Sequence, residues 1–297
     1  MTTQKNGWLI TGGTGFLGQA LTRHLLQGGD GGRQPVMERV CIYSRSESAQ
    51  ARMREEFKDD GRLRWFVGDV RDVKRLRRAM ESVDTVVHAA ALKRVEVGEY
   101  NPTEMVQTNV LGTMNVTEAA IDAGVSCAIL VSSDKAVEPL NCYGATKLVA
   151  EKLFAGAAVL APFGPKFVAV RYGNVAGSTG SVIPTWRADL AAGRTPIMRA
   201  ADATRFWITA AQAVALIMQV QRSETGTLLV PDLPAYRVGD LLCAMDSNTR
   251  IAGTGELGRG EKLHESLLAS SEPGGPQRSY DARRMSIEEL REELTKL

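Results

Sequence analysis

The 297-residue chain is poor in the groups that staple or metallate a protein. It has four cysteines, Cys41, Cys127, Cys142 and Cys243, and three histidines. No two cysteines form a C-x-x-C pair and no histidine cluster accompanies them, so no metal site is expected and free thiols are the simpler reading. An excess of one charge is also missing. Lysine and arginine number 36 against 34 acidic residues, a formal net charge of +2, which leaves no electrostatic footprint for nucleic acid or a membrane surface. No apolar run reaches the roughly 18–20 residues that span a bilayer, and the first residues show no basic-then-apolar secretory signal. A cytoplasmic protein with neither nucleic acid nor membrane as partner is the expectation. What the chain does have is 44% hydrophobic residues, enough for one large core or a main domain with a small lobe.

Short apolar runs alternate with longer helical ones. Residues 8–11, 39–43, 63–67, 85–88, 127–131 and 167–171 read as buried strands, and 15–26, 47–57, 72–80, 103–123 and 143–160 as helices. Strands that are apolar throughout are those buried on both faces, so this alternation predicts an α/β fold, a Rossmann-like doubly wound parallel sheet. After about residue 175, Gly, Pro and Thr become frequent and strands shorten. Residues 1–175 are therefore read as a dinucleotide-binding domain. Residues 176–297 are read mainly as a smaller C-terminal substrate-binding lobe, with some segments returning to the main domain. Residues 28–32, 253–260 and 270–277 look like loops. Ser286 and Glu289 form a capping box that opens a last helix. The run Lys74, Arg75, Arg77, Arg78 reads as a solvated helix face rather than a basic patch.

Gly12, Thr14, Gly15, Phe16, Leu17 and Gly18 follow the first strand and open the first helix. Glycine there allows a tight turn and close approach of backbone N–H groups to a pyrophosphate, and the helix N-terminus faces the anion. The second strand ends in Ser44-Arg45, not in the acidic residue that grips the ribose of NAD. The planar fork of arginine suits a 2′-phosphate, so NADP is favoured, with NAD the alternative. Asp69 and Val70 end the third strand, where a carboxylate can meet the adenine amino group. Ala89 and Ala90 end the fourth, where small side chains leave room for the cofactor.

Downstream, the strand at 127–131 runs into Ser132-Ser133-Asp134-Lys135, followed by Tyr143 and Lys147. Tyr-x-x-x-Lys on a helix puts both side chains on one face. A nearby ammonium lowers the phenol pKa and makes Tyr143 a usable base for an alcohol proton, and Ser133 is placed to hydrogen-bond the same alcohol. Asp134 and Lys135 add a second acid–base pair. Plain dehydrogenation does not need it, whereas eliminating water beside a ketone does.

The segment Ser132-Ser133-Asp134-Lys135-Ala136-Val137-Glu138-Pro139-Leu140-Asn141-Cys142-Tyr143-Gly144-Ala145-Thr146-Lys147 resembles the signature of bacterial UDP-N-acetylglucosamine 4,6-dehydratases of the inverting, soluble type, a polysaccharide-biosynthesis branch of the extended short-chain dehydrogenase/reductases. Arg171-Tyr172-Gly173-Asn174-Val175, Gly180-Ser181-Val182-Ile183-Pro184, Thr204-Arg205-Phe206-Trp207 and Gly260-Glu261-Lys262-Leu263-His264-Glu265 agree in order. The resemblance implies that Tyr143, with Lys147 and Ser133, takes the 4-hydroxyl proton while hydride leaves C4, that Lys135 removes the C5 proton, and that Asp134 protonates the departing 6-hydroxyl. Hydride then returns to C6 and C5 is inverted. It also implies cofactor contacts from Tyr143 and Lys147, a UDP-sugar substrate near Lys93, Asn174, Ser181, Val182, Arg205, Arg259 and Glu261, and a homo-oligomer. Arg205 is expected on the diphosphate, and His264 is expected to be structural. Gly258-Arg259 departs from the family's Arg-Pro before Gly-Glu-Lys, and Ala203 and Glu96-Val97-Gly98 depart too, all on the presumed substrate side. A 5,6-dehydratase or C4 epimerase of the same fold, and a non-catalytic NADP-binding sensor, are the competing readings.

Overall fold

The computed structural model describes residues 6–28, 37–247, 257–258 and 260–297. The chain runs β1 (Gly7–Thr11), α1 (Phe16–Gln27), β2 (Arg39–Ser44), α2 (Glu47–Glu56), β3 (Leu63–Val67), α3 (Val73–Ala79) and β4 (Thr85–His88). It continues through α4 (Val95–Tyr100), α5 (Pro102–Val106), a π-helical turn (Gln107–Leu111), α6 (Gly112–Ala123) and β5 (Cys127–Val131). A 3₁₀ turn (Asp134–Ala136), α7 (Cys142–Leu160) and β6 (Lys166–Val170) follow. The remainder holds α8 (Val182–Ala191), β7 (Thr204–Phe206), α9 (Ala210–Val220), β8 (Leu228–Leu229), β9 (Ala235–Arg237), α10 (Val238–Met245), β10 (Ser266–Leu268), β11 (Gln277–Arg278) and α11 (Ile287–Thr295).

Seven strands form one sheet in the order β3-β2-β1-β4-β5-β6-β8, with every pairing parallel. This is the doubly wound, Rossmann-like architecture expected. Alternate residues of each strand face opposite sides, and each side has its own core. Ile10, Ile42, Val168 and Ile217 belong to one, beneath α1 and α9. Leu9, Tyr43, Leu130 and Phe154 belong to the other, beneath α3, α6 and α7. The order reverses between β1 and β4, which opens a crevice at the carboxyl ends of the strands where ligands bind in such sheets. A third core of Trp186, Trp207, Tyr236, Leu241 and Leu290 holds together α8, α10 and α11 beyond that crevice.

Two parts of the chain differ from the sequence reading. The helix expected over 103–123 is broken by the π turn, where Asn109 leaves the helix pattern to bond Leu92 N, Leu92 O and Thr146 Oγ1 at 2.8–3.0 Å. That side chain ties the end of the β4 crossover to α7, a tertiary pull that local propensity cannot show. After residue 175 the chain is richer in helix than expected. α9 begins at a capping box of Thr209 and Gln212 and packs on α1, and β8 completes the main sheet. The last helix does open on the Ser286–Glu289 box. In the basic run, Arg77 pairs with Asp122 and Arg78 with Glu81 at the surface, a solvated face as read. No helix among the described residues is long and apolar enough to cross a membrane.

Candidate active site

A cavity of about 550 Å³ lies at the carboxyl ends of the strands. Its nucleotide end is made of backbone. Gly12 turns the chain after β1 at φ 69°, where a Cβ would come 2.9 Å from Ala90 N. At Gly18 a Cβ would sit 2.5 Å from Gly13 O, so α1 reaches this depth only without a side chain there. Gly15 caps α1 with no side-chain hydrogen bond, which leaves the helix N-terminus facing the cavity without a side chain across it. The predicted residues Thr14, Phe16, Leu17, Ser44, Arg45, Val70, Ala89 and Ala90 line the same wall.

Asp69 does not. Its neighbours Gly68 and Val70 line the cavity, while its carboxylate accepts from Arg71 N, Nε and Nη2 at 2.8–3.1 Å and lies 3.9 Å from Arg45 Nη1. Burial pushes this carboxyl up, but Arg71 and Arg45 outweigh it and hold it below the usual range. A carboxylate so engaged supports the two arginines at the rim of the cavity.

At the other end, β5 delivers Ser133 and α7 delivers Tyr143 and Lys147 to the cavity wall. Asn141 caps α7 by accepting from Gly144 N at 2.7 Å, and a Cβ on Gly144 would fall 2.2 Å from Lys135 O. The helix is thus seated directly on the Asp134–Ala136 turn. Lys147 is buried and donates from Nζ to Val131 O. Burial pulls its pKa down to about 8, against the pull of Glu151. Tyr143 departs from expectation. Its phenol is pushed up, chiefly by burial and then by Asp134, with Ser133 and Lys135 opposing. Lys147 donates to a backbone carbonyl, and the charges that act on the phenol are those of Asp134 and Lys135.

Behind this wall is a cluster of buried charge. Asp134 is fully buried, and its Oδ1 accepts from Ser133 Oγ at 2.9 Å and Lys135 Nζ at 3.2 Å. Its Oδ2 has no hydrogen-bond partner among the described residues and lies under Gly173, where a Cβ would come within 3.3 Å of it. Gly173 lines the cavity, so this oxygen is separated from the ligand space by one glycine. Burial and Glu265 raise the Asp134 carboxyl, against Lys135. Lys135 Nζ also lies 2.8 Å from Glu265 Oε1. Burial alone would lower Lys135, but the two carboxylates outweigh it and raise its pKa.

Of the predicted substrate residues, Lys93 and Asn174 line the cavity, whereas Ser181, Val182, Arg205 and Glu261 do not. Ser181 is the N-cap of α8, and its hydroxyl makes no hydrogen bond among the described residues. Val182 is the first residue of that helix and packs on the third core. Arg205 donates to Thr204 O and Leu263 O and lies 3.9 Å from Glu265, so it is turned toward protein rather than held out for a diphosphate. Glu261 accepts from Gly258 N and lies 3.5 Å from Arg199, which also approaches Glu96. Two departures from the family pattern, at Glu96 and Gly258, thus meet at one arginine. Arg259 lies outside the described residues. His264 bonds Thr204 Oγ1 at 2.8 Å and stacks edge-on with Tyr280, consistent with a structural part.

The sequence reading missed two buried groups at this end. Tyr172 lines the cavity beside Tyr143, and its hydroxyl has no hydrogen-bond partner among the described residues. Glu265 lies within the Gly-Glu-Lys-Leu-His-Glu segment, immediately before β10, where nothing local marks it as a partner of Lys135.

Comparison with known proteins agrees over nearly the full length. The model of the family described as polysaccharide biosynthesis protein matches residues 8–285. The chain is 40% identical over 275 residues to the UDP-N-acetylglucosamine 4,6-dehydratase (inverting) of Campylobacter jejuni, covering 90% of this chain and 79% of that protein. It is 37% identical over 270 residues to a UDP-glucose 4-epimerase of Rickettsia conorii, covering 89% and 78%. The X-ray structure of Pen from Bacillus thuringiensis superposes with a TM-score of 0.91 at 34% identity, covering 100% of both chains.

Proposed function

The chain belongs to the polysaccharide biosynthesis protein family, and on that premise we propose that it is a hydro-lyase, an NADP-dependent UDP-N-acetylglucosamine 4,6-dehydratase that inverts C5. The observation that carries the reading is the buried Asp134–Lys135 pair set one glycine behind the wall that holds Ser133, Tyr143 and Lys147. An epimerase has no use for that second acid and base.

The glycine cradle and the uncapped α1 N-terminus fit a dinucleotide pyrophosphate, and Arg45 at the rim of β2 fits a 2′-phosphate. Such a dinucleotide, held by Gly12, Gly15, Gly18 and Arg45, would supply the hydride transfer that the reaction needs at C4 and C6 of the sugar. Tyr143 takes the 4-hydroxyl proton, with the Ser133 hydroxyl beside it and Lys147 one helical turn away. The C4 ketone acidifies the C5 proton, which passes to Lys135. Asp134, whose burial favours the protonated acid, gives its proton to the 6-hydroxyl as water leaves. Reprotonation of C5 from the opposite face gives the inverted product. Lys93 and Asn174 hold the sugar nucleotide in the cavity, and closure of the lobe would bring Arg205 to its diphosphate. Exposed apolar side chains on α6 and α7, Met114, Ile121 and Val149, favour a homo-oligomer.

Purified protein incubated with NADP and UDP-N-acetylglucosamine in heavy water tests this. Loss of one water, deuterium at C5 and no net cofactor reduction are expected, with proton couplings reporting inversion. A product of unchanged mass with an altered C4 would overturn dehydration in favour of epimerisation.

A further inference from the structure

Lys135 is one ammonium between two buried carboxylates, 3.2 Å from Asp134 Oδ1 and 2.8 Å from Glu265 Oε1. Both acids are fully buried, and Asp134 Oδ2 and Glu265 Oε2 have no hydrogen-bond partner among the described residues. The two acids share that one ammonium at ion-pair distance, and burial beside a like charge disfavours ionising both together. Their surroundings differ. Glu265 also faces Arg205, whose Nε is 3.9 Å from Oε1, and Lys262, which is anchored on Val137 O. Asp134 has the Ser133 hydroxyl and Lys135, with the phenols of Tyr143 and Tyr236 nearby. Glu138 faces Lys262, and His264 faces Arg205.

We propose that Glu265 is a positioning residue for the elimination: as the counter-ion of Lys135 it leaves Asp134 free to carry the proton that the departing hydroxyl takes. The proposal rests on the dehydration reading above. Asp134 and Glu265 are indeed pushed in opposite directions. Burial raises Asp134 and Glu265 adds to it, whereas for Glu265 the effect of burial is outweighed by Lys135 and Arg205. The resting cluster is a neutral Asp134, a Lys135 ammonium and a Glu265 carboxylate, holding two protons. For elimination, Lys135 passes its proton across the ion pair to Glu265. The C5–H bond then breaks, its proton goes to the Lys135 amine, and its electron pair forms the C5–C6 double bond. The C6–O bond breaks with its electron pair on oxygen, and the hydroxyl leaves as water with the Asp134 proton. The cluster again holds two protons, now on Lys135 and Glu265, and returning one to Asp134 resets it.

The test has two arms. Without substrate, isotope-edited infrared spectra of the cofactor-bound protein at neutral pH should show a protonated carboxyl that disappears in Asp134→Asn. It should also disappear in Glu265→Gln, because Asp134 then becomes the sole counter-ion of Lys135 and ionises. A band that survives Asp134→Asn, or that persists undiminished in Glu265→Gln, overturns the proposal whatever the substrate is. With UDP-N-acetylglucosamine, Glu265→Gln should slow water loss on the order of 100-fold. C4 oxidation, read as transient cofactor reduction in a single turnover, should stay within about threefold of wild type. Its elimination profile should also lose its alkaline side at lower pH, since Asp134 without a like charge beside it gives up its proton sooner. Glu265→Asp, which keeps the charge at greater reach, should recover part of the rate, and it supplies both readouts if Glu265→Gln does not fold. Equal slowing of oxidation and elimination with an unmoved pH profile would mark Glu265 as merely structural. Absence of water loss from the wild type would instead sink the dehydration reading and leave the infrared arm standing.

Discussion

At the nucleotide end of the cavity, Gly12, Gly15 and Gly18 let backbone approach backbone to 2.5–3.1 Å of where a side chain would begin. At the other end, Asp134, Lys135, Glu265 and Arg205 gather four ionisable groups, with three carboxylate oxygens left without hydrogen bonds among the described residues. The first region is held by shape and by backbone hydrogen bonds, such as Gly15 N to Gly12 O at 2.9 Å and Gly12 N to Tyr43 O at 2.8 Å. The second is held by charge, with its polar groups only partly satisfied until something else arrives. A cradle of backbone can be ready before its ligand binds. A cluster of unpaired charge is poised to move protons, and it gives up stability to be so.

Changes at the charged end should sharpen this contrast most. Lys135→Ala is expected to cut dehydration on the order of 10³-fold while leaving cofactor affinity unchanged, measured by product mass and calorimetry. A parallel loss of cofactor binding would break the separation between the ends. Next comes Gly12→Ala, where a positive φ and a 2.9 Å approach to Ala90 coincide. It should weaken the cofactor roughly tenfold and cost about 1–3 kcal/mol of stability, read by titration and denaturant unfolding.

Lys147 gives a pH test of the buried charge. Its folded pKa, about 8, lies below the ordinary lysine value of 10.5. Between those values the unfolded chain holds the proton and the folded one does not, so this group makes stability rise with pH through that window. Its cost is fully present below pH 8. Lys147→Met in the cofactor-free protein should therefore be more stable than wild type below pH 8, on the order of 2 kcal/mol, with the gap closing toward pH 10.5. A gap independent of pH would place the effect in packing. Arg45→Ala should reduce preference for NADP over NAD by about tenfold, since Arg45 is half-exposed at the rim. The smallest effect is expected for Arg77→Ala, whose exposed pair with Asp122 should contribute less than about 0.5 kcal/mol.

The same contrast explains what was legible in the sequence. Strands β1 to β6 fall within a residue or so of their predicted bounds; all but the edge strand β3 are buried on both faces and so mainly apolar. The glycine turn was equally plain, since only glycine satisfies its spacing. Ser133, Asp134, Lys135, Tyr143 and Lys147 could be singled out together because they are close in sequence. Glu265 was not assigned a part because it reaches Lys135 across 130 residues, and nothing in the local pattern announces a partner that far away. For Asp69 the partner that the structure adds is near in sequence. Its place at a strand end was right, but Arg71, two residues on, takes its carboxylate.

Arg171 at the end of β6 carries a further implication. Fully enclosed, it is clasped by Glu151 of α7 on one side and by Leu267 O and Glu272 on the other. During synthesis, the main sheet through β6 emerges about a hundred residues before those last partners. Until they arrive, Arg171 and Lys135 lack half of the groups that neutralise or cover them. The order of translation therefore makes this buried charge cluster the last part of the molecule to be completed, and a chain arrested before residue 265 would carry the glycine cradle but leave Lys135 without Glu265.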